Sequence, residues 1–112
     1  MELKETNMQF INLTSHDINE VTTGLTIPVS GRVARVKSST IKVAVHQQVP
    51  IYSSTFGDIE GLPEPQANVI YIVSALALHA VPADRLDVVS PGSLQRNQHG
   101  QPVGCCGFRR AK

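Results

Sequence analysis

The chain has 112 residues, enough for one domain, and 41% of them are hydrophobic, enough to build a core. Ten basic and nine acidic residues leave a net charge of +1. No basic stripe stands out, so duplex nucleic acid is not an expected partner. The longest apolar run, residues 69–80, is shorter than the roughly 20 residues that span a bilayer, so no membrane partner is expected. One domain is predicted over residues 1–112.

The two cysteines are adjacent in the sequence, as Cys105 and Cys106. A disulfide between neighbours is strained, and two cysteines imply no secreted disulfide scaffold. Residues 1–10 are charged and polar, without the apolar segment of a signal peptide. We therefore expect a cytoplasmic protein with reduced thiols, and the role of the cysteines stays open.

The first quarter of the chain predicts short strands separated by turns. Residues 1–8 are polar and predict an N-terminal arm. Residues 9–13 predict a first strand, which ends at the turn-forming residues 14–17. Residues 18–27 predict a hairpin that turns at residues 22–24.

Two alternating segments follow, at residues 32–36 and 41–46. Residues 37–40 separate them with turn-forming side chains, so the two segments are predicted to pair as an antiparallel hairpin. The polar face of this hairpin would be the most basic local surface of the chain, formed by Arg32, Arg35, Lys42 and His46.

The central element is predicted at residues 69–73, which are all β-branched or aromatic and favour a buried strand. A further strand is predicted at residues 49–57, followed by a proline-rich connector at 62–65. After the central strand, Ser74 is a preferred N-cap, and the Ala and Leu residues of 75–80 favour a short helix. This pattern places the start of a helix at the end of a central strand.

The last part of the chain returns to strands. Residues 86–89 predict a short strand, and residues 90–93 give a strong turn signal. Residues 94–104 predict a hairpin with Gly100 in its turn, before a last strand at 105–108 and a basic tail at 109–112. The sum is an α+β fold, mostly antiparallel β: a small β-roll or barrel of seven to nine short strands with one short helix.

Catalytic and metal chemistry are poorly supported by these residues. The four histidines are scattered, and two adjacent cysteines cannot supply zinc-ligand spacing, so neither a metal nor a cofactor is expected. Ser74 lies at a strand-to-helix turn but lacks the flanking glycines of a nucleophile elbow. No catalytic residue is predicted, although a small nucleotide hydrolase remains an alternative.

Binding of a phosphate-bearing ligand is the favoured function. Ser74 and the helix start would form an anion-receptive corner, and the polar turns at residues 14–17, 83–85 and 90–96 would converge on it. Arginine side chains would neutralise phosphate, and an aromatic ring would stack on a base. An open alternative is that Arg85 pairs with Asp84 or Asp87, while Arg96 lies exposed in its hairpin. The candidate ligand-binding residues are Thr14, His16, Arg35, Tyr71, Ser74, Arg85, Ser93 and Arg96.

Several short motifs, taken as a set, resemble a family of small bacteriophage and prophage proteins. They read N-L-T-S-H-D at residues 12–17, G-L-P-E-P at 61–65, Y-I-V-S at 71–74 and P-G-S at 91–93. Ser15 stands where that family is expected to have proline, so the first turn is expected to be looser here. The motifs contain no catalytic signature.

The resemblance implies a role in the cytoplasm of an infected bacterium. A leading role for such proteins is counter-defence, in which an oligomeric protein sequesters a cyclic oligonucleotide or ADP-ribose-derived immune signal without cleaving it. A homodimer or higher oligomer is expected because a small roll leaves strand edges that pairing would cover. A protein–protein inhibitor or virion accessory protein, using a strand edge or the Arg32 and Arg35 face, is the alternative.

Overall fold

The computed structural model describes residues 8–111. Most of the predicted N-terminal arm, residues 1–8, and the last residue of the predicted basic tail lie outside this range. The elements, in chain order, are β1 (Gln9–Asn12), β2 (Ile18–Glu20), β3 (Leu25–Ile27), β4 (Arg35–His46), β5 (Val49–Glu60), β6 (Val69–Ile72), α1 (Ala75–Leu78), β7 (Val88–Arg96) and β8 (Pro102–Arg110).

Six of the strands form a nearly closed barrel in the order β1-β6-β7-β8-β2-β3. The outer strands meet where Asn12 bridges Val29 and the Ser30 N–H donates to the Asn12 carbonyl at 3.1 Å. Three strand pairs are parallel, but most registered residue pairs belong to the antiparallel ladders. The predicted fold class, a small and mostly antiparallel β-barrel with one short helix, is confirmed.

Strand β6 lies between β1 and β7 and is largely buried, as its composition predicts. Its side chains alternate between two apolar clusters, as the period of a strand requires. Val69, Tyr71 and Val73 pack in an outer cluster, whereas Ile70 and Ile72 pack in the barrel interior. A strand buried on both faces reads as a continuous apolar run rather than an alternating one.

The helix that follows β6 is a single turn. The Ser74 hydroxyl accepts the Ala77 N–H at 3.1 Å, so Ser74 is the N-cap, as predicted. The helix ends at Leu78 rather than at Ala80, because the next N–H groups bond three residues back in tighter turns. Ala77 and Leu78 bury this turn against the outer face of β6.

Strands β4 and β5 leave the barrel as a separate two-stranded ribbon. The turn lies at Gln47 and Gln48, whose φ angles are 50° and 68°. The predicted hairpin between residues 32–36 and 41–46 is therefore wrong, because residues 37–40 lie inside a strand. Their serines and threonine fit an exposed strand as well as a turn, and Thr40 pairs with Ser54.

We call β4, the Gln47–Gln48 turn and β5 the arm. Twelve residues in each strand give it a length of about 40 Å. Val36 and Ile59, at the base of the arm, are half-buried against the outer cluster, and every other residue of the two strands is exposed. The barrel therefore anchors the arm only at its base.

A second turn prediction, at residues 90–93, is also wrong. Strand β7 continues through these residues, with Pro91 paired to Phe108 and Ser93 to Cys106. At Gly92 the two strands approach so closely that a Cβ would lie 2.3 Å from the Cys106 carbonyl oxygen. The Pro-Gly pair here lies where β7 and β8 approach closely, not in a turn. The hairpin predicted at residues 94–104 is confirmed. The predicted tail begins inside β8, which extends to Arg110.

Glu20 fastens the β2–β3 hairpin to β8. Its carboxylate accepts hydrogen bonds from the backbone and hydroxyl groups of Thr22 and Thr23 and, at 2.8 Å, from the Gly107 N–H. Gly107 has a φ of 64°, which disfavours other residues. These hydrogen bonds, with that of Thr22 first, lower the pKa of Glu20 from 4.5 to about 2.

Protonation of Glu20 is expected to weaken the fold in acid. Because its folded-state pKa is depressed, its stabilisation is fully present above about pH 4.5 and is lost as the pH falls toward about 2. The variant Glu20→Gln should therefore unfold more easily at neutral pH and lose less stability than the wild type across this window. Denaturant unfolding from pH 7 to pH 2 measures this difference.

The matched control is Asp58→Asn, which alters an exposed carboxylate on the arm. Its stability should follow the wild-type pH profile. Equal pH dependence for Glu20→Gln and the wild type would contradict the role assigned to the Glu20 carboxylate.

Candidate functional site

A cleft of about 890 Å³ lies between the barrel wall and the base of the arm. Its walls come from the turn after β1, the base of β4, the start of α1 and facing residues of β7 and β8. This volume is within the range of small-molecule sites, about 300 to 1,000 Å³. The helix start predicted as a binding corner therefore does border a concave site.

The turn at one wall of the cleft is organised by a buried amide, Asn12. Its Oδ1 accepts the Thr14 N–H at 2.9 Å and the Thr14 hydroxyl at 2.6 Å. Its Nδ2 donates to the carbonyls of His16 and Ile27 at 2.8 and 3.1 Å. Sequence reasoning missed Asn12 as an organising residue, although an Asx residue two positions before a turn-forming threonine was the available signal.

Four of the eight predicted ligand-binding residues line the cleft. Thr14 and His16 come from this turn, Arg35 from the base of β4, and Ser74 from the start of α1. His16, Arg35 and Ser74 are exposed, while Thr14 is half-buried and bonded to Asn12. The structure thus brings together residues that are up to 60 positions apart in the chain.

The rest of the cleft is largely apolar. Leu76, Leu94 and Val103 border it and remain 53%, 53% and 46% exposed. Such a surface suits a ligand with two parts: a flat, apolar part that packs on the aliphatic side chains and a polar part that binds the polar groups.

Arg85 does not line the cleft, and its guanidinium is bound at another site by Asp87 and Pro63. Nε and Nη2 bind both oxygens of Asp87 at 2.9 and 3.0 Å, and Nη2 also donates to the Pro63 carbonyl at 2.9 Å. The hydrogen bond to Arg85 lowers the pKa of Asp87, and the same bond raises the pKa of Arg85. The predicted phosphate contact is corrected to a structural ion pair, which was the alternative.

Tyr71 is also structural rather than exposed to ligand. It is 1% exposed in the outer cluster, and its hydroxyl donates to the Glu64 carbonyl at 3.1 Å. Stacking on a base is therefore excluded in this conformation. Tyr71 and Arg85 together hold the proline-rich connector, Tyr71 at Glu64 and Arg85 at Pro63.

Ser93 and Arg96 are exposed on β7 but do not line the cleft. The Arg96 Nη1 donates to the Gly100 carbonyl at 2.8 Å within its own hairpin. The predicted convergence of the 90–96 segment on Ser74 fails for these two residues. The segment contributes Pro91, Gly92 and Leu94 instead.

The anion-receptive corner at the helix start is weaker than predicted. A single turn sums few peptide dipoles, and the Ser74 hydroxyl is already used as the cap of Ala77. Arg35 is the cation of the cleft lining. In the described part of the chain the ion pairs are Lys37–Glu60 and Arg85–Asp87, and neither involves Arg35.

Neither cysteine has the features of a reactive thiol. Cys105 and Cys106 are free, and Cys105 is 3% exposed in the barrel interior, where burial raises the pKa of its thiol. Cys105 is thus a small apolar core residue, as its apolar flanks indicate. Across residues 8–111, no three His, Cys, Asp or Glu side chains form a group that could hold a metal ion.

Within the same described residues, no helix is long and apolar enough to cross a membrane. Comparison of the chain with protein-family models, with curated proteins and with solved structures finds no match. The chemistry of the cleft therefore has to follow from its own side chains.

The Arg85–Asp87 pair is expected to stabilise the fold without touching the cleft. Arg85→Ala should lower the free energy of unfolding by about 2 kcal/mol, because it leaves a largely buried carboxylate and the Pro63 carbonyl without their donor. Arg85→Lys should not restore it, since an ammonium cannot bind both carboxylate oxygens and the carbonyl in this geometry. Denaturant unfolding measures both.

Arg110→Ala, at an exposed site on β8, is the matched control and should change stability by no more than about 0.5 kcal/mol. If Arg85→Ala unfolds like Arg110→Ala, the ion pair does not hold the connector in place.

Proposed function

We propose that the protein binds a phosphate-bearing nucleotide in this cleft without transforming it. The observation that carries the proposal is the composition of the cleft: one arginine, one histidine, one aspartate and three hydroxyl residues border a wall of exposed aliphatic side chains. The aspartate, Asp17, accepts the Val29 N–H at 2.9 Å. Arg35 supplies bidentate contacts to a phosphate, and His16 supplies a further donor. The base packs on Leu76, Leu94 and Val103, in place of an aromatic stack.

The biological role we propose is sequestration of a nucleotide immune signal in an infected bacterium. It rests on the motif resemblance to small phage proteins and on the cleft, which is large enough for a cyclic oligonucleotide fragment or an ADP-ribose derivative. A binder that only sequesters needs affinity and no catalytic base. The concave site beside Ser74 favours a small ligand over the flat contact surface that a protein inhibitor would use there.

The first test is a thermal-shift screen against cyclic dinucleotides, cyclic trinucleotides and ADP-ribose derivatives. A ligand at a hundredfold excess over its dissociation constant should stabilise the fold by about 2.7 kcal/mol, which raises the midpoint by several degrees. The bound nucleotide should be recovered intact after denaturation. Recovery of a cleaved nucleotide would support the hydrolase alternative instead.

Arg35→Ala should weaken the affinity for the nucleotide by at least roughly tenfold, since it removes a charge-assisted contact. Arg110→Ala removes the same charge from β8 outside the cleft lining and should leave the affinity unchanged. Titration calorimetry compares the two variants. Equal affinities of the two variants would rule out the cleft as the phosphate site. A thermal-shift screen without any shift would rule out the tested nucleotides as ligands.

A further inference from the structure

The arm exposes a large apolar surface to water. Seven large apolar side chains along it are 42–60% exposed, namely Ile41, Val43, Val45, Val49, Ile51, Tyr52 and Phe56. A two-stranded hairpin alone is marginally stable, and a soluble monomer rarely shows a contiguous apolar surface of this kind. The arm therefore needs a cover.

Both faces of the arm carry large apolar side chains, interspersed with hydroxyl residues. Side chains of paired residues share a face, and alternate residues of one strand share a face. Val45, Pro50, Tyr52 and Phe56 therefore lie on one face, which we call the aromatic face and which also carries Lys42, the partner of Tyr52 in the ladder. Ile41, Ala44, Val49 and Ile51 lie on the other face, together with His46. A ribbon with one face on a core and one in water would alternate apolar and polar residues instead.

The overall dimensions show how much surface is involved. The chain exposes 8338 Å², whereas a compact monomer of its mass, 12.1 kDa, is expected to expose about 6,000 Å². The radius of gyration is 17.0 Å, against about 13 Å for a compact chain of this length. Burial of one of the two faces of the arm would cover roughly half of the excess of about 2,300 Å², which is comparable with the roughly 1,000 Å² that one subunit buries in a small obligate dimer.

The charge of the arm suits a copy of itself. Between Ser38 and Phe56 it carries Lys42 and His46 and no carboxylate. Two identical surfaces with many like charges would repel each other, whereas the aromatic face carries one lysine, Lys42, beside Tyr52. Strongly apolar interfaces are typical of obligate partners, whereas transient ones are as polar as the rest of the surface.

The barrel itself offers less reason to associate. Its outer strands meet at Asn12 and Val29, so the open barrel edges expected from the sequence are largely closed. On the arm, edge pairing is opposed by Pro50 near the tip and by two irregularities in the register, at Val36/Ser38 and Lys42/Ala44. The faces of the arm, rather than strand edges, are left as the contact surface.

We propose that the arm is a dimerisation element whose aromatic face packs against the same face of a second copy of this chain. A twofold axis between the arms makes the contact self-complementary, with Tyr52 and Phe56 of each copy near its centre. Aromatic side chains at the centre of an interface carry most of its binding energy. An arm that needs cover whenever the chain is folded requires a partner that is always present, and a second copy meets that condition.

The test is sedimentation equilibrium over a wide range of protein concentrations. The wild type should have twice the monomer mass of 12.1 kDa. The double variant Tyr52→Ser, Phe56→Ser should raise the dimer dissociation constant at least about a hundredfold. Both side chains are exposed and belong to neither core cluster, so the barrel should stay folded, and circular dichroism checks this.

Two matched double variants identify the surface. Leu25→Ser, Leu86→Ser removes two side chains outside the arm and outside the cleft lining that are 46% and 55% exposed and should leave the dimer intact. Ile41→Ser, Ile51→Ser removes the same number of large side chains from the opposite face of the arm and should have a smaller effect than the aromatic-face variant.

Other outcomes would overturn the proposal. A wild type that is monomeric at every concentration would mean that a different protein covers the arm. Mass that keeps growing with concentration beyond the dimer would indicate an open assembly rather than a twofold contact. Dissociation by the Leu25→Ser, Leu86→Ser variant, or by the opposite-face variant alone, would assign the contact to another surface. None of these results depends on whether the cleft binds a nucleotide.

Discussion

The burial of β6 on both faces is the constraint on which the rest of the structure depends. Its alternate side chains fill the barrel interior with Ile70 and Ile72 and the outer cluster with Val69, Tyr71 and Val73. A β-barrel covers only the inner face of its own strands, so the outer face of β6 has to be covered by other parts of the chain. The helix turn, the base of the arm and the proline-rich connector do so. The cleft lies where the first two of these covers border the barrel.

The same constraint explains why polar residues that look suited to a ligand serve the fold. The connector contains prolines, which cannot donate backbone hydrogen bonds, and it packs Leu62 on the outer cluster. Its carbonyls are therefore available as acceptors, and Tyr71 and Arg85 donate to two of them. Asp87 then neutralises the guanidinium in a site that is largely shielded from water. An arginine whose charge is paired with a carboxylate outside the cleft is not available to a phosphate in the cleft.

The elements that sequence reasoning predicts correctly are those that local chemistry determines. Five β-branched or aromatic residues followed by a serine cap produced β6 and α1, and the turn before Pro102 produced the β7–β8 hairpin. The errors occur where the same residues suit two structures. Residues 37–40 and 90–93 carry turn-forming side chains, yet both segments are strands because their partners in β5 and β8 supply a ladder. The true turn, at Gln47 and Gln48, has φ angles that its residue types rarely adopt and so gave no signal.

The site could be predicted only in part for a related reason. Thr14, His16 and Ser74 follow strands that are neighbours in the barrel, so strand order brings them together, whereas Arg35 joins them through the base of the arm. Val36 beside it packs on the outer cluster, and the arm extends from this base. Fixing the arm in a dimer would restrict the segment that carries Arg35 and would reduce the ordering cost of binding a ligand there. Ligand binding in the cleft would thus be helped by dimerisation of the arm, whereas dimerisation through an apolar interface would need no ligand.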